Sequence, residues 1–141
     1  MKIIKFLCVG FLAMLCACQP AQQGNKYTVT GELEDSAHHG KKIYIMRYDD
    51  NVYVDSTLIE GNKFVFEGEV DTAAFCRIDV SRNAFANFIL EGGDVKVNLK
   101  AYNKPSGTPQ NEEMRTISQE QDSIFAYIGR KKGEINRQYT D

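Results

Sequence analysis

Cysteine and histidine are scarce in this chain, and their scarcity excludes several kinds of functional site. Three of the four cysteines lie within the first 18 residues, so only Cys76 remains in the rest of the sequence. No Cys-x-x-Cys pair occurs, which excludes the usual motif of thiol-disulfide exchange. The two histidines are adjacent, at positions 38 and 39, rather than at the regular spacing of a metal site. We therefore expect no catalytic residue, no cofactor and no metal-binding residue.

The chain also lacks the excess of positive charge that nucleic-acid binding requires. Of its 17 lysines and arginines, two lie in an N-terminal leader, which leaves 15 against 19 acidic residues and a formal charge of −4. A phosphate backbone would repel a protein of this charge. We expect no nucleic acid among its partners.

Residues 1–17 have the layout of a bacterial secretory signal peptide. Lys2 and Lys5 precede an apolar run from Phe6 to Ala17, which is too short to span a membrane comfortably. The segment Leu15-Cys16-Ala17-Cys18 resembles a bacterial lipobox, in which the last cysteine becomes the lipidated N-terminus. The resemblance implies a diacylglycerol anchor on Cys18. The alternative is that these cysteines are merely small apolar members of the signal peptide.

A lipid on Cys18 would place the protein in the cell envelope as a membrane-anchored lipoprotein. Several acyl chains on one residue suffice for stable anchoring. Residues 18–26 are polar and include Pro20 and Gly24, so we expect a flexible tether between the lipid and the folded part. This tether lacks the acidic residues that mark lipoproteins exported to the outer surface of some bacteria. The prediction is therefore a periplasm-facing protein.

Residues 27–108 contain seven short runs with the period-two alternation of strands, separated by turn residues. The predicted strands are Tyr27–Leu33, Ile43–Tyr48, Val52–Ile59, Phe64–Val70, Phe75–Val80, Ala84–Leu90 and Val95–Leu99. Gly31, inside the first strand, suggests a bulge or a close backbone approach. Seven short strands with short connections predict an all-β fold, either an antiparallel β-sandwich or an open barrel.

The third and fourth of these strands flank the most distinct turn signal in the chain, Gly61-Asn62. Such a dipeptide between β-rich runs predicts a β-hairpin with a two-residue loop. In that register Glu60 lies opposite Lys63 and Ile59 opposite Phe64. Phe64 and Phe66 would then both face the core.

The period changes to that of a helix after residue 108. Thr108 is a suitable N-cap and Pro109 a suitable first helical residue, which predicts a helix over residues 109–137. One narrow stripe follows alternating spacings of three and four, and it is apolar at five of its seven positions. Its members are Met114, Ile117, Gln121, Ile124, Ile128, Lys131 and Ile135. The helix either docks on the β domain or is a linker helix that meets another module.

Several of these segments also look like the successive motifs of one protein family. They are Val54-Asp55-Ser56-Thr57, Gly61, Lys63-Phe64-Val65-Phe66-Glu67-Gly68, Phe88-Ile89-Leu90-Glu91-Gly92-Gly93-Asp94 and Ser106-Gly107-Thr108-Pro109-Gln110-Asn111. Their order and spacing resemble the domain of unknown function DUF4369, found near the N-terminus of Bacteroidetes lipoproteins. The resemblance covers Tyr27 to Asn111.

The family resemblance implies a non-catalytic role for this chain. In larger members a domain similar to this one precedes a helical linker and a thioredoxin-like domain that exchanges thiols and disulfides through a Cys-x-x-Cys pair. Since that pair is missing here, the resemblance implies an accessory or protein-interaction module, with a thioredoxin-like or other envelope protein as its partner. The alternative is a truncated N-terminal part, or a relative, of a thiol-disulfide oxidoreductase whose thioredoxin-like domain is absent.

The remaining candidates for chemistry are better explained structurally. His38 and His39 could share a metal with Asp35 or Asp49, but two solvated loop residues are the simpler interpretation. Ser36, His38 and Asp55 could form a hydrolase triad on paper, yet no nucleophile elbow accompanies them. For Asp55 and its neighbour Ser56 we expect local or cross-strand hydrogen bonds instead.

Two further features could bear on binding. Cys76 is expected to be a buried small hydrophobic residue, although a lone thiol can also be redox-active. Eight aromatic residues of the β region would form a ligand platform if several were exposed together, but strand aromatics usually belong to the core. They are Tyr44, Tyr48, Tyr53, Phe64, Phe66, Phe75, Phe85 and Phe88. A small-molecule ligand is not indicated by any motif.

Overall fold

A computed structural model describes residues 24–99 and 104–138 of the chain, and in this part it contains seven strands and one helix. The strands are β1 (Lys26–Glu32), β2 (Lys42–Arg47), β3 (Tyr53–Leu58), β4 (Lys63–Glu69), β5 (Ala74–Ser81), β6 (Ala84–Leu90) and β7 (Gly93–Asn98). The helix α1 runs over Pro109–Gln138. The predicted elements are confirmed, with strand ends that differ by at most two residues from those expected. The predicted leader, the lipid site at Cys18 and residues 18–23 of the predicted tether lie outside the described residues. The last residue of that tether, Lys26, is the first residue of β1, and the Asn25 carbonyl before it accepts the Val70 N–H at 2.7 Å.

The strands form two sheets, an arrangement consistent with a sandwich, and the described strands do not close into a barrel. The three-stranded sheet has the order β4-β1-β7, and the four-stranded sheet has the order β3-β2-β5-β6. All pairs are antiparallel except β1 with β7, which are parallel. The expectation of a wholly antiparallel fold is therefore wrong at this pair. After β6 the chain crosses to the other sheet and enters it in the direction of β1.

Alternation along the strands places one apolar face of each sheet in a common core. Val29 of β1, Phe66 of β4 and Val95 of β7 are buried on the three-stranded side, and Ile45 and Phe88 are buried on the four-stranded side. Each large apolar side chain that leaves water in this way stabilises the fold by roughly 1.5–3 kcal/mol. Phe64 and Phe66 are both buried, as the sequence predicts.

The Gly61-Asn62 turn is present, but the hairpin predicted around it is not. Glu60 and Lys63 exchange two backbone hydrogen bonds of 2.8 and 3.0 Å, as predicted. Beyond this pair the chain divides: β3 continues beside β2 in one sheet, and β4 continues beside β1 in the other. Ile59, predicted to lie opposite Phe64, donates its backbone N–H to the Lys41 carbonyl at 3.0 Å instead. The turn therefore connects the two sheets, because β3 pairs with β2 and β4 pairs with β1 rather than with each other.

Glycine allows two aromatic rings to lie flat against the three-stranded sheet. Gly31 pairs with Phe64 in the register of β1 and β4, and Tyr27 pairs with Gly68. A Cβ atom at Gly31 would overlap the Phe64 ring, and one at Gly68 would overlap the Tyr27 phenol. The close approach expected at Gly31 is therefore confirmed, and the pairing is regular there, without a bulge.

The start of α1 is fastened to β6, the edge strand of the four-stranded sheet. The fully buried Asn111 side chain pairs with the Ile89 backbone: its Nδ2 donates to the carbonyl at 2.7 Å, and its Oδ1 accepts from the N–H at 2.9 Å. Asn111 Nδ2 also donates to Thr108 Oγ1 at 2.7 Å. The buried Glu91 carboxylate accepts the Gln110 N–H at 2.9 Å, where the helix dipole favours an anion.

Only the first turns of α1 contact the β domain within the described residues. Met114 and Ser118 are half-buried, whereas the side chains of residues 119–132 and 134–138 are exposed. The helix is therefore docked on the β domain at its start and exposed along the rest of its length. At about 1.5 Å per residue it spans roughly 45 Å. No helix of the described residues has the length and apolar character needed to cross a bilayer.

Candidate interaction surface

The aromatic residues of the β region separate into a buried and an exposed group. Phe64, Phe66 and Phe88 lie in the core. The others are exposed on the outer side of the four-stranded sheet, which we call the aromatic face: Tyr44, Tyr48, Tyr53, Phe75 and Phe85. Tyr53 is the most open of them, with 65% of its surface accessible. The expectation that strand aromatics belong to the core is wrong for this group.

Strand register explains why these side chains share one side. Ile45 of β2, Ile78 of β5 and Ala86 of β6 are aligned and buried, so the residues next to them along each strand point outward. Met46, opposite Tyr53 in β3, belongs to that outward row. A β-bulge at this point of the β2–β3 pair keeps Tyr53 on the outer side.

The exposed rings form two contacting pairs. The ring centroids of Tyr44 and Tyr53 lie 5.0 Å apart in a tilted arrangement. Those of Tyr48 and Phe75 lie 4.8 Å apart and are stacked, and the Tyr48 N–H donates to the Phe75 carbonyl at 3.0 Å. Such pairs hold rings in one orientation and contribute roughly 0.5–1.5 kcal/mol each. The aromatic face is therefore preorganised rather than a set of independent side chains.

Arg77 is a fixed cation within the aromatic face. Its guanidinium lies 4.2 Å from the centroid of the Phe85 ring, and its Nε donates to both oxygens of Asp79 at 2.8 and 2.7 Å. One terminal nitrogen donates to the Tyr48 hydroxyl at 3.3 Å. These hydrogen bonds, to Asp79 first and then to Tyr48, raise the pKa of Arg77 further above its ordinary range. The face thus holds an Arg77–Asp79 ion pair among its rings, and Lys42 Nζ lies 5.7 Å from the centroid of the Tyr44 ring.

Asn87 supplies an unused hydrogen-bond acceptor beside Arg77. It is the register partner of Arg77 on β6, so it points to the same side of the sheet. Its Oδ1 is buried and has no hydrogen-bond partner within the described residues. A buried polar atom without a partner costs about 1–3 kcal/mol.

A shallow apolar groove continues the aromatic face toward the helix. It has a volume of about 420 Å³ and lies between Phe75 and Ile89 of the sheet and Met114 and Ile117 of α1. A second depression, of about 370 Å³, lies at the three-stranded sheet and is lined by Lys63, Lys96 and Lys104 among other polar residues. Only the first groove is continuous with exposed aromatic side chains.

The residues weighed for metal binding or catalysis do not come together. His39 Nδ1 accepts the Gly61 N–H at 2.9 Å, so this histidine supports the turn. No group of three or more potential metal ligands is found within the described residues. Asp55 Oδ2 accepts the Tyr27 hydroxyl at 2.8 Å, and its Oδ1 accepts the Ser56 N–H at 2.6 Å. The structural interpretation of Asp55 is confirmed, and its partners are not those of a triad with Ser36 and His38.

Cys76 is a core residue, as the sequence predicts. Its side chain is fully buried in β5, and it is a free cysteine. Burial raises the pKa of its thiol to about 11, so the neutral form prevails at physiological pH. Because the thiolate is the nucleophile, Cys76 is unreactive in this environment.

These features define a mostly β domain of two sheets, with a C-terminal helix whose first turn is bonded to the edge strand β6. Comparison with protein families shows that residues 27–114 match the family described as domain of unknown function (DUF4369). The chain belongs to this family, and the resemblance stated from the motifs is confirmed. Searches of curated proteins and of solved structures each found no significant match.

The motifs that carry the family resemblance contain residues whose contacts stabilise the fold. Asp55 holds Tyr27, and Gly61 has a φ of 62° in the turn between the sheets. The Phe88–Asp94 and Ser106–Asn111 motifs meet through the buried contacts of Ile89 and Glu91 with the helix start. No aromatic residue of the exposed group belongs to these motifs, so the aromatic face is a property of this chain beyond the motifs.

Proposed function

We propose that this protein is a non-catalytic, lipid-anchored module of the cell envelope, a β-sandwich that holds another envelope protein on its aromatic face. The aromatic face is the single observation that carries the proposal. Tyr, Phe and Arg are enriched at the centres of protein interfaces, and the chain exposes five such rings around one arginine. Contiguous apolar surface of this kind on a folded domain marks a binding site.

The rigidity of the face supports a protein partner. The rings project from hydrogen-bonded strands and are held in contacting pairs, so little side-chain entropy is lost on binding. Arg77, which is paired with Asp79, adds hydrogen-bonding groups to the rings of the face. The partner surface we infer is therefore apolar with a few hydrogen-bonding groups, such as that of a thioredoxin-like domain or another envelope protein.

Replacing the most exposed rings tests this function. Cells expressing the tagged full-length protein are treated with a short chemical cross-linker, and the adducts are compared with those of a Tyr53→Ser, Phe85→Ser variant. The matched control is Val65→Ser, because Val65 is 46% exposed on the outer side of the other sheet. We expect the variant to lose a discrete protein adduct that the wild type and the control retain. An adduct pattern unchanged in the variant would contradict the proposal.

The anchor is the second part of the proposal, and it rests on the lipobox-like segment that ends at Cys18. Metabolic labelling with a radioactive or clickable fatty acid should mark the wild-type protein and fail to mark Cys18→Ala. A Cys16→Ala variant is the matched control and should remain labelled. Equal labelling of Cys18→Ala and the wild type would show that Cys18 does not carry the lipid.

A relationship to thiol-disulfide oxidoreductases is the alternative. The burial and raised pKa of Cys76 support a non-catalytic chain instead. In an insulin-reduction assay with dithiothreitol we expect the purified protein to give the same rate as buffer. A rate above background would overturn the non-catalytic role. Reading the coding region beyond Asp141 for a Cys-x-x-Cys pair separates a standalone protein from a truncated one.

A further inference from the structure

The stripe of α1 meets the β domain only at its start, where Met114, Ile117 and Gln121 line the groove beside the sheet, and the rest of it lacks a partner in the described part of the chain. The apolar members of this remaining part, Ile124, Ile128 and Ile135, are about half exposed. Phe125 beside them is 70% exposed. The stripe follows spacings of three and four residues over three heptads, which is the pattern of a helix that packs against another helix.

The helix needs such a partner for its own stability. Most of the helical stability of proteins comes from packing of an apolar face, and α1 lacks such packing after Ser118. Gly129 and Gly133 each reduce helix stability by about 1 kcal/mol relative to alanine. Neither glycine faces the stripe, and a Cβ at either position would meet no atom within 4 Å. A covered stripe would offset this weakness.

The distribution of charge along α1 indicates what covers it. Residues 109–123 carry four acidic residues and one basic residue, whereas residues 124–138 carry four basic residues and one acidic residue. One half of the helix is therefore complementary to the other half, with net charges of −3 and +3. The ion pairs Glu112–Arg115 and Lys131–Glu134 each lie within one half of the helix and are exposed, so they leave this imbalance in place. Asp122 is paired with Lys104, which lies before the helix, and this pair reduces the excess of negative charge in the first half without reversing it.

We propose that α1 associates with α1 of a second copy of this chain in antiparallel orientation. This orientation places the acidic half of each helix against the basic half of its partner, whereas parallel packing would align like charges. It also opposes the two helix dipoles. Because each β domain lies at the start of its own helix, antiparallel packing puts the two β domains at opposite ends. Gln121 and Lys131 in the stripe set the register at a cost in affinity.

Cysteine cross-linking in the native membrane tests both the partner and the orientation. Two differently tagged full-length copies are co-expressed, one with Ile117→Cys and the other with Ile128→Cys or Ile135→Cys. Oxidation should join Ile117→Cys to one of the two downstream variants, with at least a fivefold higher yield than Ile117→Cys with itself. A dominant self-linked Ile117→Cys would indicate parallel packing and would overturn the proposal.

Two further variants make the result specific to the stripe. Ile124→Ser with Ile128→Ser should abolish the heterotypic cross-link, while Gly129→Ala with Gly133→Ala, on the other side of the helix, should preserve or raise it. The melting temperature of the β domain should be unchanged in both, because these residues do not contact it. If no mixture forms a disulfide, a second copy does not cover the helix and the proposal fails. That result is expected if a different protein or the lipid surface covers the stripe.

Discussion

Tyr27 ties the two sheets together through a polar contact inside an otherwise apolar core. It lies on β1 of the three-stranded sheet, and its hydroxyl donates to Asp55 on β3 of the four-stranded sheet. Burial first, and then the Asp55 carboxylate, raise the pKa of Tyr27 far above its ordinary value of 10.0. Gly68 leaves the space that the Tyr27 ring occupies. A single side chain thus links three strands.

Replacing Tyr27 by phenylalanine should destabilise the fold while preserving the ring. The change removes a hydrogen bond to a carboxylate, so we expect the free energy of unfolding to fall by about 1.5–3 kcal/mol at neutral pH. Urea denaturation measures the difference, with Tyr53→Phe as an exposed control near zero. A fall of equal size in both variants would mean that the Asp55 contact contributes nothing specific.

The same residue predicts a loss of stability in alkali. A pKa raised in the folded state gives a contribution that is complete below the unfolded value of 10.0 and is lost as the pH rises toward the folded value. Between about pH 9 and pH 11 the free energy of unfolding of the wild type should therefore decrease more than that of Tyr27→Phe. Parallel curves for the two proteins would contradict the raised pKa.

Gly31 makes a second prediction at the scale of one residue. A methyl group there would overlap the Phe64 ring, so Gly31→Ala forces the ring or the strand to move. Overpacking of this kind costs about 1–3 kcal/mol. Gly129→Ala is the control, because it has open space in a helix and should be neutral or stabilising. Thermal unfolding should give a lower melting temperature for Gly31→Ala and no decrease for Gly129→Ala, and a Gly31→Ala variant as stable as the wild type would refute the close packing.

Among the elements, the corner between β6 and α1 decides where the helix starts. The Asn111 side chain bonds both the N–H and the carbonyl of Ile89, as a neighbouring strand would. It therefore also covers the open edge of the four-stranded sheet at this point. Thr108 and Pro109 predicted the first residue of the helix correctly. Asn111 and Glu91 were not predicted as anchors, because a polar residue near a helix start is typical of a solvated position and its burial depends on a distant strand.

Glu112 gives this corner a dependence on pH. The Gly107 N–H first, and then Arg115, hold the pKa of its carboxyl below its ordinary value of 4.5. A lowered pKa gives stability that is present above the unfolded value and is lost as the pH falls through the folded value. Glu112→Gln should therefore be less stable than the wild type at about pH 7, with a difference that vanishes at about pH 3. A difference that persists in acid would assign the effect to shape rather than charge.

The elements also show where prediction from sequence ends. Alternation is local, so it located all seven strands and the buried sides of β1 and β4. Pairing is not local: the Gly61-Asn62 turn formed as expected, yet β3 paired with β2 and β4 paired with β1, in different sheets. The parallel pairing of β1 with β7 has no signal in either strand.

For the whole molecule, the candidate site was only partly readable from the chain. Phe75 alternates with the apolar Cys76 and Ile78, and this alternation could have placed it on the outer side. What alternation cannot tell is whether another layer covers that side. Two sheets and one helix leave the outer side of the four-stranded sheet open at Tyr53 and Phe85, and only the fold reveals this. The family match does not identify a functional site, because the family is a domain of unknown function.

The aromatic face and the helix stripe lie on different elements, so one molecule can use both. The rings belong to β2, β3, β5 and β6, whereas the stripe residues beyond Gln121 are exposed along the free part of the helix. A second copy on the helix would therefore leave the rings free for another protein. Loss of one interaction without the other is the behaviour expected of the variants described above.

Site-specific photo-cross-linking in living cells shows directly whether the aromatic face binds another protein. A photoreactive phenylalanine analogue is placed at Tyr53 on the aromatic face or at Val65 on the opposite side of the molecule, in the full-length protein. Illumination should give one discrete protein adduct from position 53 and none from position 65, and Phe85→Ser in the first protein should reduce its yield at least fivefold. Equal adducts from both positions, or none from position 53, would contradict the account.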